Sequence, residues 1–243
     1  MDIMRPPASL NIGGVEIVHA TGEHGARNAR GVVVVIDVLR SFTVSAYALA
    51  GGARECLLVG SVDQARSLAE RTAGALICAE ENALPVPGIP ISNSPTQITA
   101  LDFEGKTLIQ RSSAGTPVLG AVSSTDGMFA GSLVVASATA QACLLRRPSI
   151  VTLVASADHP EDHACAKYLE ALLRGKAVDL DPLLQPLRDS ERYRKVMAGQ
   201  WPGFPPTDIE LALAVDRFGF VMPAVRRDSH LVLTAAMPGT LSP

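Results

Sequence analysis

The sequence predicts an α/β fold of three layers, with helices covering both faces of a largely parallel or mixed sheet. Three observations predict it. Strand-like and helix-like stretches alternate with short links over most of the chain, the pattern of repeated βαβ crossovers. The run Val32–Ile36 is apolar and β-branched without a polar interruption, as a strand buried on both faces must be. Several strand ends pass a small polar residue directly into a helix start.

Taken in order, Val32–Ile36 is the first strand, with Asp37 at its end. From Arg40 and Ser41 the pattern turns helical as far as Ala50, and Gly51-Gly52 stops it. A strand over 55–59 leads through Ser61, a helix N-cap, into a helix over 62–71. A further strand over 75–78 ends at Ala79-Glu80-Glu81. The stretch 84–95 carries four prolines and reads as a rigid loop without regular structure. A strand over 106–109, a turn over 112–116 and a helix from Pro117 follow. The strand 128–131 runs through Ser132 into a helix ending near Arg147. The next strand covers 149–155, and Pro160 suits the first turn of a helix through Arg174. Residues 176–206, with five prolines, break the rhythm and read as irregular or helical packing at an edge, or as a lid. A helix over 208–216 precedes strands over 220–225 and 230–234, which close the chain as a hairpin or sheet edge. No internal repeat stands out, although the shared rhythm of the two halves fits one unit, 1–243, with similar lobes of about 1–125 and 126–243.

Composition narrows the function classes. A length of 243 residues supports one large core or two modest ones, and 47% hydrophobic against 19% charged residues argues against extended disorder. The formal net charge of −3 leaves no basic field for a nucleic-acid backbone. Four cysteines with no CxxC pair point to a reducing compartment. The first ten residues lack the apolar run of a signal peptide, and no stretch of about 18 apolar residues occurs to span a membrane, so the cytoplasm is the expected location. The sequence leaves a homo-oligomer open.

In largely parallel sheets ligands sit beyond the carboxyl ends of the strands, which singles out Asp37 and Glu80. Asp37 has three readings: a Mg²⁺ ligand, a nucleophile, or a turn cap. With Glu80 it would supply the one or two carboxylates that Mg²⁺ takes from a protein. Arg40 is placed either to clamp an anion or to form a surface ion pair. Arg40-Ser41, Ser112 to Thr116 and Gly131-Ser132 each open a helix, where unpaired N–H groups bind phosphate or are simply capped. Glu161 and Asp162 lie in a helix first turn, where negative charge is favoured with or without a function. His159 and His163 have the i, i+4 spacing of a zinc pair, but Pro160 puts His159 before the helix. No P-loop, GxGxxG, GxSxG or HExxH occurs, which leaves a metal-and-anion site.

Six stretches, in order from about 32 to 221, resemble the 2-phosphosulfolactate phosphatase family. Residues 34–41 (VVIDVLRS) are similar to its opening strand and DVLRAT-type turn, and 88–95 (GIPISNSP) to its GFDxGNSP loop. Gly115-Thr116 stands where its TTTNGT ends, and Gly131-Ser132 where its GSFxNA begins. Glu161-Asp162 with Cys165-Ala166 resembles its EDxxCA helix start, and 208–216 its late helix. The resemblance implies an α/β/α fold and Mg²⁺-dependent hydrolysis of 2-phospho-3-sulfolactate, a small anionic substrate on the route to coenzyme M. It implies catalytic roles for Asp37, Arg40 and Glu80 and metal contacts from Asp37, Glu80, Glu161 and Asp162. Substrate contacts would come from Ser41, Asn93, Ser94, Arg111, Ser113, Gly115, Thr116 and Ser132. The chain departs from the pattern at Glu81, where the family has arginine, and at Ala114 and Val135, where it has asparagines; Arg111 replaces a threonine. These departures keep three readings open: a phosphatase of small phosphoesters, a non-catalytic anion-binding protein, and a phosphatase whose substrate lacks the sulfonate.

Overall fold

The computed structural model describes residues 14–123 and 125–241, so the expectation for the first ten residues lies outside the described residues. Its first elements, β1 (Glu16–Thr21) and the short α1 (Gly22–Arg27), are absent from the sequence expectation. The reason is visible in β1, none of whose residues is fully buried: it is an edge strand without the apolar signature of an inner one. From β2 (Val32–Ile36), buried at every position, α2 (Ser41–Ala50), β3 (Glu55–Leu58), α3 (Val62–Ala69) and β4 (Ala75–Glu81) alternate as expected. Ser61 caps α3 by accepting from the Gln64 amide.

The proline-rich stretch is more regular than expected. It holds β5 (Leu84–Pro85), antiparallel to the end of β4, and a bridge from Ile91 to Cys78. An edge position tolerates proline because no ladder donor is required there. Next come α4 (Pro95–Thr99), β6 (Thr107–Arg111), α5 (Gly115–Ala121), β7 (Gly127–Gly131), a 3₁₀ turn (Leu133–Val135) and α6 (Ala136–Leu145). They are followed by β8 (Ile150–Ala155) and α7 (Pro160–Leu173). The region 176–206 contains two helices, α8 (Asp181–Arg188) and α9 (Glu191–Met197), the second capped by Ser190. Last are α10 (Pro206–Ala212), shorter than expected, β9 (Met222–Arg227) and β10 (His230–Leu233). No helix among the described residues is long and apolar enough to cross a membrane.

The strands form a ten-stranded sheet in the order β1-β8-β2-β7-β9-β10-β3-β6-β4-β5. The block β1-β8-β2-β7 is parallel, as is β3-β6-β4. The β9–β10 hairpin joins the blocks by antiparallel pairing on both sides. It therefore lies inside the sheet and not at its edge, which corrects one alternative for the chain's end. Leu231, Val232 and Leu233 are all buried, as a strand with neighbours on both sides and covered faces requires. The first block interleaves strands from both halves of the chain, since β2 pairs with β7 and β8, while β3, β4 and β6 all come from the first half. A division near residue 125 does not follow that pairing.

Helices cover both faces. Val33 and Val35 of β2 share one core cluster with Phe42 and Val44 of α2 and with Cys56 and Leu58 of β3, whereas Val32, Val34 and Ile36 cluster with Leu133 of the 3₁₀ turn, Ala140 of α6 and Leu169 of α7. Beyond β3 and β6, Leu57 and Ile109 pack on Ala65 of α3. Nine residues of α2, Ser41 to Leu49, are buried, because this helix lies between the two blocks and packs on both. Three antiparallel steps make the blocks run in opposite senses. Each of the five steps from β2 to β6 adds about 20–25° of twist, so the strands cross at a steep angle and their carboxyl ends are able to meet beside the start of α2.

Candidate active site

Asp37 follows the last residue of β2 and is 4% exposed. Its amide donates to the Gly131 carbonyl at 3.1 Å, and its Oδ1 accepts from the Ser41 amide at 3.0 Å, tying the carboxylate to the start of α2. Its other oxygen lies against Gly115, where an added Cβ would fall 2.7 Å from Oδ2. The ends of β2 and β6 thus touch. Ser41 Oγ donates to Ser112 Oγ at 3.0 Å, and Ser112 Oγ donates to Thr116 Oγ1 at 3.0 Å while accepting from the Thr116 amide at 3.1 Å. Gln110, buried at the end of β6, donates to the Ser41 carbonyl at 2.9 Å and to Asn93 Oδ1 at 2.7 Å, which draws in the loop after β5. Asn93 holds a left-handed backbone at φ 56°.

Glu80 interlocks with the turn after β6. Its carboxylate accepts from the Ala83 amide at 2.6 Å, from Ser113 Oγ at 3.1 Å and from the Ser113 amide. Arg111 Nη1 donates to the Glu80 carbonyl and to Ser113 Oγ at 2.9 Å. Glu80, Arg111 and Ser113 are thereby brought together as one knot, with both Glu80 oxygens already accepting bonds. Ser132, at the end of β7, meets Thr43 Oγ1 at 2.6 Å, and Thr43 donates to the Val38 carbonyl at 2.7 Å.

From the β8 side, the start of α7 delivers two more buried carboxylates. Asp162 Oδ1 accepts from the Val38 amide at 2.8 Å and Oδ2 from Ser156 Oγ at 2.9 Å. Glu161 is fully buried; Oε1 pairs with Arg192, while Oε2 is buried without a hydrogen-bond partner. This concentration of negative charge shows in the acidities. Burial is the main cause that lifts Asp37 to a pKa of about 6; the Ser41 amide opposes it, the charges of Glu80 and Glu161 add to it, and Arg192 opposes it. Asp162 is raised well above the ordinary carboxylate range by burial first, then by Asp37 and Glu161.

Arg40 departs from expectation. Its Nη1 donates to the Gly203 carbonyl at 2.6 Å and to Asp208 Oδ2 at 2.8 Å, and its guanidinium lies 3.9 Å from the centre of the Phe204 ring. The side chain is 3% exposed, so it is neither a surface ion pair nor an open anion clamp. Ser94 belongs to the same strut, donating to Asp208 Oδ1 at 2.7 Å. The histidines do not pair as metal ligands: His163 Nε2 contacts Asp158 at 2.8 Å, and His159 precedes α7. Among the described residues no three His, Cys, Asp or Glu side chains gather as a metal cage.

Sequence reasoning named Ser112 within a candidate helix start and Asp208 within a family-like helix without giving either side chain a role, and it missed Gln110 and Arg192. Gln110 is a polar residue breaking an apolar strand, a usable signal. Arg192 carried none, lying in a stretch rich in charges.

The family model described as 2-phosphosulpholactate phosphatase matches residues 18–196, a span that holds Asp37, Glu80, Ser112, Glu161 and Asp162. A Bacillus subtilis protein named "Probable 2-phosphosulfolactate phosphatase" is 31% identical over 217 residues, covering 86% of this chain and 93% of the relative. A protein of the same name from Carboxydothermus hydrogenoformans is 38% identical over 144 residues, 58% of this chain and 60% of its own. Another, from Thermoplasma acidophilum, is 29% identical over 192 residues, 77% and 83% of the two chains. By sequence match across most of its length, this chain belongs to the 2-phosphosulpholactate phosphatase family.

Proposed function

We propose that this chain hydrolyses 2-phospho-3-sulfolactate to 3-sulfolactate and phosphate, with Mg²⁺ as its cofactor. The observation that carries the reading is Asp37, a buried carboxylate with a pKa of about 6, held where two strand ends meet and beside a second buried carboxylate, Glu161, that has an unpartnered oxygen. The donor set fits the cation. Mg²⁺ prefers hard carboxylate oxygens and takes only one or two from the protein, so Asp37 and Glu161 suffice. When bound, the cation would neutralise phosphoryl charge and activate water.

The chain's own groups account for the rest. The Ser41 amide orients the Asp37 carboxylate, and Gly115 leaves space for it. Hydroxyls of Ser41, Ser112 and Thr116 line the approach from β6 and are suited to phosphoryl oxygens. Asp37 carries a proton part of the time near neutrality, the range where acid–base exchange is most effective. Four buried, unpaired cysteines support a reducing, cytoplasmic setting.

The experiment is phosphate release from 2-phosphosulfolactate with and without Mg²⁺. Release that requires Mg²⁺ and is lost in Asp37→Asn supports the reading; release unchanged in that variant removes Asp37 from it. A second reading, anion binding without turnover, is favoured by Ala114, whose own side chain offers α5 no polar cap, and by Val135, which is buried in the apolar core. It predicts stabilisation by 3-sulfolactate with no phosphate released.

A further inference from the structure

Arg192 stands on α9, outside the six motif-like stretches of the sequence though within the matched span 18–196, and it enters the electrostatics of the site from two directions. It pairs with Glu161 Oε1, and its charge works against the burial that raises the pKa of Asp37. It also helps to lower the basicity of His159, behind the larger effect of burial. Glu161 is completely buried whereas the Arg192 side chain retains 21% exposure, so the arginine sits at the boundary between the carboxylates and solvent. Its helix is held by a small separate cluster of Val196, Phe204 and Ile209, with Tyr193 and Trp201 against it.

A carboxylate that a divalent cation would use is therefore partly occupied by an arginine. The two cations compete for Glu161, because each gains from the same negative charge and neither gains from the other. An arginine released at the mouth of a site is free to bind anions, and its planar fork matches a sulfonate or carboxylate as well as a phosphate.

Resting on the proposed activity, we infer that Arg192 is the substrate-binding residue for the anionic groups outside the phosphoryl, and that it competes with the divalent cation for Glu161. Arg192 covers the carboxylates while paired with Glu161 and turns to the sulfolactate portion of the substrate once a cation takes its place. Specificity for a phosphoester with further negative charge then comes from α9, not from the strand ends.

Two calorimetric titrations on the full chain test this without turnover. In Arg192→Gln, Mg²⁺ should bind several-fold tighter because its competitor is gone, and 3-sulfolactate should bind roughly tenfold or more weaker because a charge-assisted contact is lost. A merely structural ion pair gives a different result: Mg²⁺ binding unchanged or weaker, or sulfolactate binding unaltered, and any of these overturns the inference. Should Arg192→Gln unfold, Arg192→Lys, which keeps the charge but not the fork, should still weaken 3-sulfolactate, and unaltered affinity overturns the inference. Absence of phosphate release by the wild type would sink the proposed activity alone, since both titrations read binding.

Discussion

Asp37 spends most of its electrostatic cost on burial, and that cost has a sign that can be measured. Its folded pKa of about 6 lies above the ordinary 3.8, so between those values the folded chain holds more proton at this site than the unfolded chain. The contribution to stability is fully present below about pH 4 and is lost as pH rises through about 6, by on the order of 2–3 kcal/mol. The difference between wild-type and Asp37→Asn unfolding free energies, followed by urea from pH 4 to 7.5, should show the variant gaining relative stability across that window; a flat difference refutes the shift. The same variant should lose phosphatase activity by roughly 10²–10⁴-fold at neutral pH. Gly115→Ala tests the close approach: a Cβ at 2.7 Å from Asp37 Oδ2 must displace the carboxylate, so kcat should fall while the circular dichroism spectrum stays that of the wild type.

At the scale of elements, the Arg40–Asp208 strut joins the start of α2 to α10 and to the turn at Gly203 and Phe204. Asp208 is fully buried and receives Arg40, Ser94 Oγ and the Thr96 amide, so removing the arginine strands a charge. Arg40→Ala should cost about 3–5 kcal/mol in urea unfolding. A loss of activity with full stability would instead restore Arg40 to the site. Helices whose caps and stops are written locally, such as α2 with Gly51 after it and α3 with Ser61 before it, were legible in the sequence. The pair α8 and α9 was legible only as one alternative, helical packing beside irregular structure, because prolines that signal breaks in isolation here sit in the first turn of α8 and within it.

For the whole molecule, the site draws on the ends of β2, β4, β6, β7 and β8, and a bound divalent cation would tie these segments together. At a concentration of Mg²⁺ one hundred times its Kd the stabilisation should be about 2.7 kcal/mol. Because a cation bound at Asp37 would have to displace the proton that Asp37 holds, the thermal shift caused by Mg²⁺ should be larger at pH 7.5 than at pH 5.5. An equal shift at both values would separate the cation from Asp37.

The sequence by itself determined the α/β class, the inner strands and the acidic strand ends, since β-branched runs, caps and glycine stops act over a few residues. Asp37, Glu80, Glu161 and Asp162 were legible as candidates for the same reason: each stands where a strand or helix visibly begins or ends. Only the tertiary structure decided that the terminal hairpin fills the middle of the sheet, that Arg40 belongs to Asp208, and that Arg192 belongs to Glu161. Pairing between partners 168 and 31 residues apart depends on how the twisted blocks close around α2, and no local pattern encodes that distance.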